Sequence, residues 1–404
     1  MDATGDPISF EVISVLQLRT TDDPWLPRLE SFECEEATEE FIPLFPLVLS
    51  PRTTEIRIHF AWYAPVVLVA STIARLPKLC PDLESITLDY LPRDPAITEA
   101  VSEMLIACKR DTLRTFDVGS PLTEEAREVV YRLPKLSSLC TFIQGTTSLP
   151  TVTLPNLTAI DVKYNDDLNW LQGFRGAVFG QLDSATFRSG SNSIGDLIGA
   201  FESVALTTSA KDTLRKFRFH NSRNPNYSAL LSFHQLKEVE IEYSCHDGCC
   251  SRVDDEITMR MARAMPKLEI LKLGGMPCET PTGVTVNGFI GLARLCPHLS
   301  KLRIHFQAAS LVEAATSTVT LSPSDNGTVV RRKDCALVDL EVGGTPIPAR
   351  SDLTVALVLV QIFPRLRSIG YVTQEWNTVA ETIKDFRRIG AFIHRSGKAH
   401  THVY

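Results

Sequence analysis

No stretch of this 404-residue sequence approaches the roughly 20 consecutive apolar residues that cross a bilayer, so no membrane helix is expected. An excess of positive charge is also missing. With 41 Lys and Arg against 48 Asp and Glu, the net charge is −7, which argues against nucleic acid or an anionic membrane as the main partner. The motifs that carry chemistry are absent: no Gly-x-Ser-x-Gly, no Walker loop, no Gly-x-Gly-x-x-Gly and no His-Glu-x-x-His. Neither a catalytic centre nor a cofactor is therefore expected. The opening Met1-Asp-Ala-Thr-Gly-Asp has no basic start and no uninterrupted apolar run, so it does not read as a secretory signal. The ten cysteines then read as reduced thiols of a cytoplasmic or nuclear protein, with Cys34, Cys80, Cys140 and Cys296 expected in the core. Cys245-His246-x-x-Cys249-Cys250 is the densest set of potential ligands. It crowds one loop, whereas a structural zinc site needs two separated ligand pairs, so no metal is assigned.

What the chain does have is repetition. The string Pro-x-Leu-x-x-φ-x-φ, with φ apolar, recurs as Pro27-Arg-Leu29-Glu-Ser-Phe32-Glu-Cys34 and Pro81-Asp-Leu83-Glu-Ser-Ile86-Thr-Leu88. Further copies start at Pro134, Pro155, Pro266, Pro297 and Pro364. Six more lack the proline and lead with Thr53, Leu113, Leu182, Leu214, Leu236 and Leu337, making thirteen in all. The spacing between leading positions varies from 21 to 38 residues, as in divergent repeats with returns of different length. Leu-x-x-Leu-x-Leu at such periods is the strand signature of leucine-rich repeats.

Helical patterns fill most gaps. They are read at Val66–Leu76, Pro95–Cys108, the segment after Thr123, Gly195–Thr207, Asp254–Met265, Val286–Cys296 and Asp352–Phe363. Thr123, Asp254 and Asp352 are expected N-caps. The repeat proline cannot continue a helix and presets entry into an extended segment. Helix, Pro-x turn, strand and loop thus form one coil, and successive strands stack in parallel through right-handed crossovers. The predicted fold is an α/β leucine-rich-repeat solenoid, a curved parallel sheet with helices on its convex side. A lead-in occupies residues 1–25, the solenoid 26–374 with a surface insertion within 307–335, and a terminal capping helix with a frayed tail 375–404.

If the apolar positions of each strand point inward, positions three, five and seven point to the concave face. That rule puts Arg57 and His59 there, then Lys216, Arg218 and His220, followed by Glu238, Glu240 and Glu242. Lys301, Arg303 and His305 precede Glu341 in the same way. A basic rung twice precedes an acidic one, so neighbouring rungs can neutralise each other while forming a partner surface of mixed charge. These residues are the candidate protein-binding site.

The cadence Leu-Pro-x-Leu-x-x-φ-x-φ resembles the repeat region of fungal, basidiomycete-type F-box proteins. The opening Val15-Leu-Gln-Leu-Arg-Thr-Thr, followed by Trp25-Leu-Pro-Arg-Leu29-Glu-Ser-Phe32, is particularly similar. The resemblance implies the substrate-recognition part of a cullin–RING ubiquitin ligase receptor, whose F-box would dock on the ligase adaptor. Pro7 to Leu16 echoes only the first F-box helix, and the repeat at Pro27 leaves no room for the others. The F-box is therefore expected to be absent, and the alternative is a free-standing repeat scaffold or inhibitor outside any ligase.

Overall fold

The computed structural model describes residues 24–143, 153–164, 178–189, 208–220, 227–242, 253–274, 283–316, 335–343, 345–371 and 373–399. The chain divides into two compact units, residues 1–190 with 203–210 and residues 191–202 with 211–404. The first unit carries β1 (Ser31–Ala37), β2 (Glu55–Phe60), β3 (Ser85–Asp89), β4 (Thr115–Pro121), β5 (Ser138–Ile143), β6 (Ala159–Tyr164) and β7 (Ser184–Ser189). Within it every neighbouring pair is parallel and in chain order. The second unit carries β8 (Lys216–His220), β9 (Glu238–Glu242), β10 (Ile270–Leu273), β11 (Lys301–Ile304), β12 (Asp339–Gly343) and β13 (Ser368–Tyr371), again parallel and sequential. A separate two-residue pair joins Thr153–Leu154 to Val178–Phe179.

All thirteen strands begin two residues after a leading position read from the sequence. The reason is visible in the hydrogen bonds. In each rung the N–H groups of positions two and three both donate to the carbonyl of position two in the preceding rung. Thr54 and Glu55 donate to Glu30 at 2.8 and 3.2 Å, and Ser300 and Lys301 donate to Glu269 at 2.8 and 3.2 Å. The same fork joins every adjacent pair of rungs within each unit. The side chains at positions one, four and six then fall on one face. Leu83, Leu113, Leu268 and Leu299 lead their rungs fully buried, as do Ile86, Phe116, Leu271 and Leu302 at position four. Thr53 takes a leucine's place because its hydroxyl donates to the Leu29 carbonyl at 2.9 Å.

The helices are α1 (Phe45–Val48), α2 (Val66–Leu79), α3 (Pro95–Ala107), α4 (Glu124–Tyr131), α5 (Thr208–Thr213), α6 (Asp255–Ala264), α7 (Val286–Leu295), α8 (Ala308–Thr316), α9 (Asp352–Ile362) and α10 (Glu375–Ala399). Thr123 and Asp254 cap α4 and α6 as expected, through bonds from Ala126 N and Ile257 N. Asp352 does not cap α9. Ser351 occupies that position and makes no side-chain cap bond, which moves Asp352 into the first turn. The helix read at Gly195–Thr207 lies outside the described residues, as does the Cys245–Cys250 loop. In the second unit α10 packs against α9 and β13. It buries Trp376, whose Nε1–H donates to the Thr345 carbonyl at 2.6 Å and whose ring meets Phe306 edge-on.

One carboxylate links consecutive helices. Asp255, in the first turn of α6, accepts bonds from Thr285 N at 2.7 Å, Thr285 Oγ1 at 2.5 Å and Gly288 N at 3.0 Å. It thereby satisfies free N–H groups at the start of α7 from outside that helix and complements its positive end. A Cβ on Gly288 would lie 2.6 Å from Asp255 Oδ1, so glycine is required by close approach. Gly288→Ala is predicted to destabilise the second unit by about 1–3 kcal/mol. Urea unfolding followed by circular dichroism measures it, and a midpoint equal to the parent's would dismiss the clamp.

Candidate protein-binding face

In the second unit the side chains at positions three, five and seven stand on the face opposite the buried rows. Register aligns Arg218, Glu240, Lys272, Arg303 and Glu341 as one row at position five. Lys216, Glu238, Ile270, Lys301 and Asp339 form the row at position three. His220 and Glu242 lie side by side at position seven.

The rows are bonded into two charged chains. In the first, Arg218 Nη2 lies 2.5 Å from Glu238 and its Nε 3.5 Å from Glu240, while Lys272 Nζ reaches the other Glu240 oxygen at 3.0 Å. Glu240 is only 8% exposed, because cations on both sides cover it. In the second, His220 Nδ1 lies 2.8 Å from Glu242, Arg303 Nη1 reaches Glu242 at 2.9 Å, and Arg303 Nε bonds to Glu341. Arg303 thus ties together rungs 61 and 38 residues away in sequence. Lys272 is a member that the sequence reading passed over, although the leucine at Leu268 places it at position five like the others.

The electrostatics follow from crowding. Burial pushes the Glu242 carboxyl up, but hydrogen bonds and charge from His220 and Arg303 more than offset it and leave it below the usual range. Burial works against the Arg303 guanidinium in the same way, and Glu341 and Glu242 together hold it more firmly protonated. Three permanent cations, Arg218, Lys272 and Arg303, meet four carboxylates, Glu238, Glu240, Glu242 and Glu341. Lys216 and Lys301 stand exposed at position three.

His305 follows the end of β11 at Ile304 and is only 3% exposed, so it offers little free surface. Its ring covers Gly343, whose φ is +57° and where a Cβ would lie 2.4 Å from Cε1.

In the first unit Arg57 pairs with Glu33 at 3.3 Å, both half-exposed, and His59 Nε2 lies 3.3 Å from Asp89. A second cluster, missed from sequence, occupies position five of three adjacent rungs: Asp117, Cys140 and Asp161. Of the expected core thiols, Cys80, Cys140 and Cys296 are buried and Cys34 is only half-buried. Counting from Leu136 puts Cys140 in the position-five row, between two aspartates. It is nonetheless buried by its neighbours. Burial and then the charges of Asp161 and Asp117 push its thiol far up, and it hydrogen-bonds to Asp117. Lys163 reaches over the cluster toward Asp89 at 3.8 Å. Burial disfavours its charge, but the surrounding Cys140, Asp117, Asp89 and Asp161 outweigh that. The six described cysteines are free thiols, and burial raises Cys80 to about 11 and Cys108 to about 12. Among the described residues no group of His, Cys, Asp and Glu is arranged to hold a metal ion, and no helix is long and apolar enough to cross a membrane.

Parallel rungs led by buried leucines, with helical returns, define a leucine-rich-repeat fold. No family model matches the chain, and no curated protein matches it. Among solved structures it is similar to an internalin from Listeria monocytogenes strain 4b F2365, with 10% identity, 92% of each chain covered and a TM-score of 0.38.

Arg303→Met leaves Glu242 and Glu341 without their shared cation and is predicted to cost about 1–3 kcal/mol. Lys301→Met, at an exposed site, is predicted to stay within about 0.5 kcal/mol. Because Glu242 is depressed in the folded chain, its contribution is complete above the unfolded value of about 4.3 and is lost as pH falls through the folded value. Stability of the parent should therefore fall more steeply on acidification than that of Arg303→Met. Parallel pH profiles of the two proteins would refute the bridge.

Proposed function

We propose that the chain is a protein–protein interaction module. Each unit offers a partner surface on its open face: Arg57 and His59 in the first, and Lys216, Arg218, His220, Glu238, Glu240, Glu242, Lys301, Arg303 and Glu341 in the second. The observation that carries this reading is the ionic ladder itself. It pairs seven charged side chains and a histidine across neighbouring rungs of the sheet. Preordered charge lowers the entropy lost when a partner docks and selects against partners of the wrong pattern.

The finer reading is the substrate-recognition part of an F-box receptor for a cullin–RING ubiquitin ligase. Its support is the resemblance of the repeat cadence and of the opening around Trp25-Leu-Pro-Arg-Leu29 to such proteins. In that role the chain holds a substrate and performs no chemistry. Affinity purification of the full chain from its source cells, with mass spectrometry of what accompanies it, is the test. Recovery of the ligase adaptor would support this reading and would require an F-box in the full natural product. A stable partner without any ligase component would replace this reading with a free-standing scaffold or inhibitor. Charge reversal at Lys216 and Lys301 is expected to reduce recovery of the substrate while leaving the fold intact.

A further inference from the structure

In the first unit, the segments that follow β2 and β3 present an unusual surface. Of nine exposed large apolar side chains among the described residues, four lie here: Trp62, Tyr63, Val67 and Tyr90. Trp62 is 86% exposed and Tyr90 72%. Trp62 and Tyr63 meet edge-on at 5.5 Å, and Tyr90 meets His59 edge-on at 6.0 Å. Neither ring pair shields the patch from water. Tyr90 also has φ +57°, a left-handed backbone that an aromatic residue rarely adopts. A strained residue that holds its ring out in solvent points toward function more than stability.

A cavity of about 550 Å³ is lined from Leu91, the chain neighbour of Tyr90, to Pro95 at the start of α3, by Glu99 of that helix, and by Gly119 to Pro121 at the end of β4. Its size suits an apolar side chain with part of its backbone. The rim is acidic. Asp94 and Glu99 line the cavity against Arg93, Glu124 and Glu125 follow the lining residue Thr123, and Lys163, beside Gly119, pairs with Asp89. Glu99, Glu124 and Glu125 are exposed.

We propose that this aromatic and acidic surface of the first unit binds a basic segment of a protein partner. An arginine or lysine stacks on the exposed rings and faces the carboxylates, and a neighbouring apolar side chain enters the cavity. Exposed Trp and Tyr faces attract cations through their ring quadrupoles, and carboxylates beside them add direct pairing. Trp and Tyr are also the residues that most often dominate protein interfaces. A second copy of this chain fits less well, since its net charge is −7.

Random 12-residue peptides displayed on phage are to be selected on the immobilised full-length chain, and the most enriched one synthesised with a fluorescent label. The enriched sequences are expected to carry Arg or Lys beside an apolar residue. In anisotropy titrations, Tyr90→Asn and Glu99→Lys should each weaken the peptide at least about tenfold. Asparagine tolerates the left-handed backbone, so Tyr90→Asn removes the ring without adding strain. Glu99→Lys alters an exposed site, and a thermal melt of each variant checks the fold. No enrichment, enrichment of sequences without a basic residue, or unchanged affinity in both variants would each overturn the proposal. The outcome does not depend on whether a ligase adaptor accompanies the chain.

Discussion

One carbonyl per rung sets everything else. Because the N–H groups of positions two and three converge on it, the parallel register is fixed before the strand begins. A slip by one residue would turn every buried leucine outward and every ladder charge inward. That lock is made by backbone alone, so it does not care which side chain stands at position two. Glu30, Arg114, Lys237 and Val338 all serve. Thr158 and Ser300 add a hydroxyl bond along the same line, to Ser137 and Glu269, without changing the geometry. Hydrophobic burial supplies the drive, and the carbonyl fork decides where it is spent.

Register is also what turns an ordinary charge composition into a surface. Arg218 and Glu240 are 22 residues apart and Lys272 lies 32 beyond, yet all three occupy one row. Their spacing along the row is that of the sheet, about 4.8 Å. At that distance long side chains can bridge two rungs, as Arg303 does. Partial burial then matters more than count. An exposed pair such as Arg57 and Glu33 contributes little, whereas Glu240, covered by its cations, has no cheap alternative to being paired.

The strand positions were legible because leucine at position one and the period-two alternation are each strong signals, and thirteen copies reinforce them. Helix caps were legible where a short polar residue directly precedes the helix, as with Thr123 and Asp254. What escaped depended on neighbours in space. Asp255 reads as a first-turn acid of its own helix, and nothing local says that it closes the next one. Cys140 looked like a core residue by type, although counting from Leu136 places it with Asp117 and Asp161. Alternation places His305 at position seven but says nothing of its burial, which comes from its neighbours. The exposed Trp62 and Tyr90 carried no periodic signal at all, because loop residues are positioned by the ends of the strands they leave.

The Arg303 bridge has an evolutionary corollary. A guanidinium shared between Glu242 and Glu341 cannot be exchanged for a neutral or acidic residue without stranding two carboxylates from separate rungs. Either glutamate, by contrast, can change while the other still holds the arginine. Substitutions along this face should thus accumulate in an order, acids before the base they share, and related chains should differ there in correlated groups.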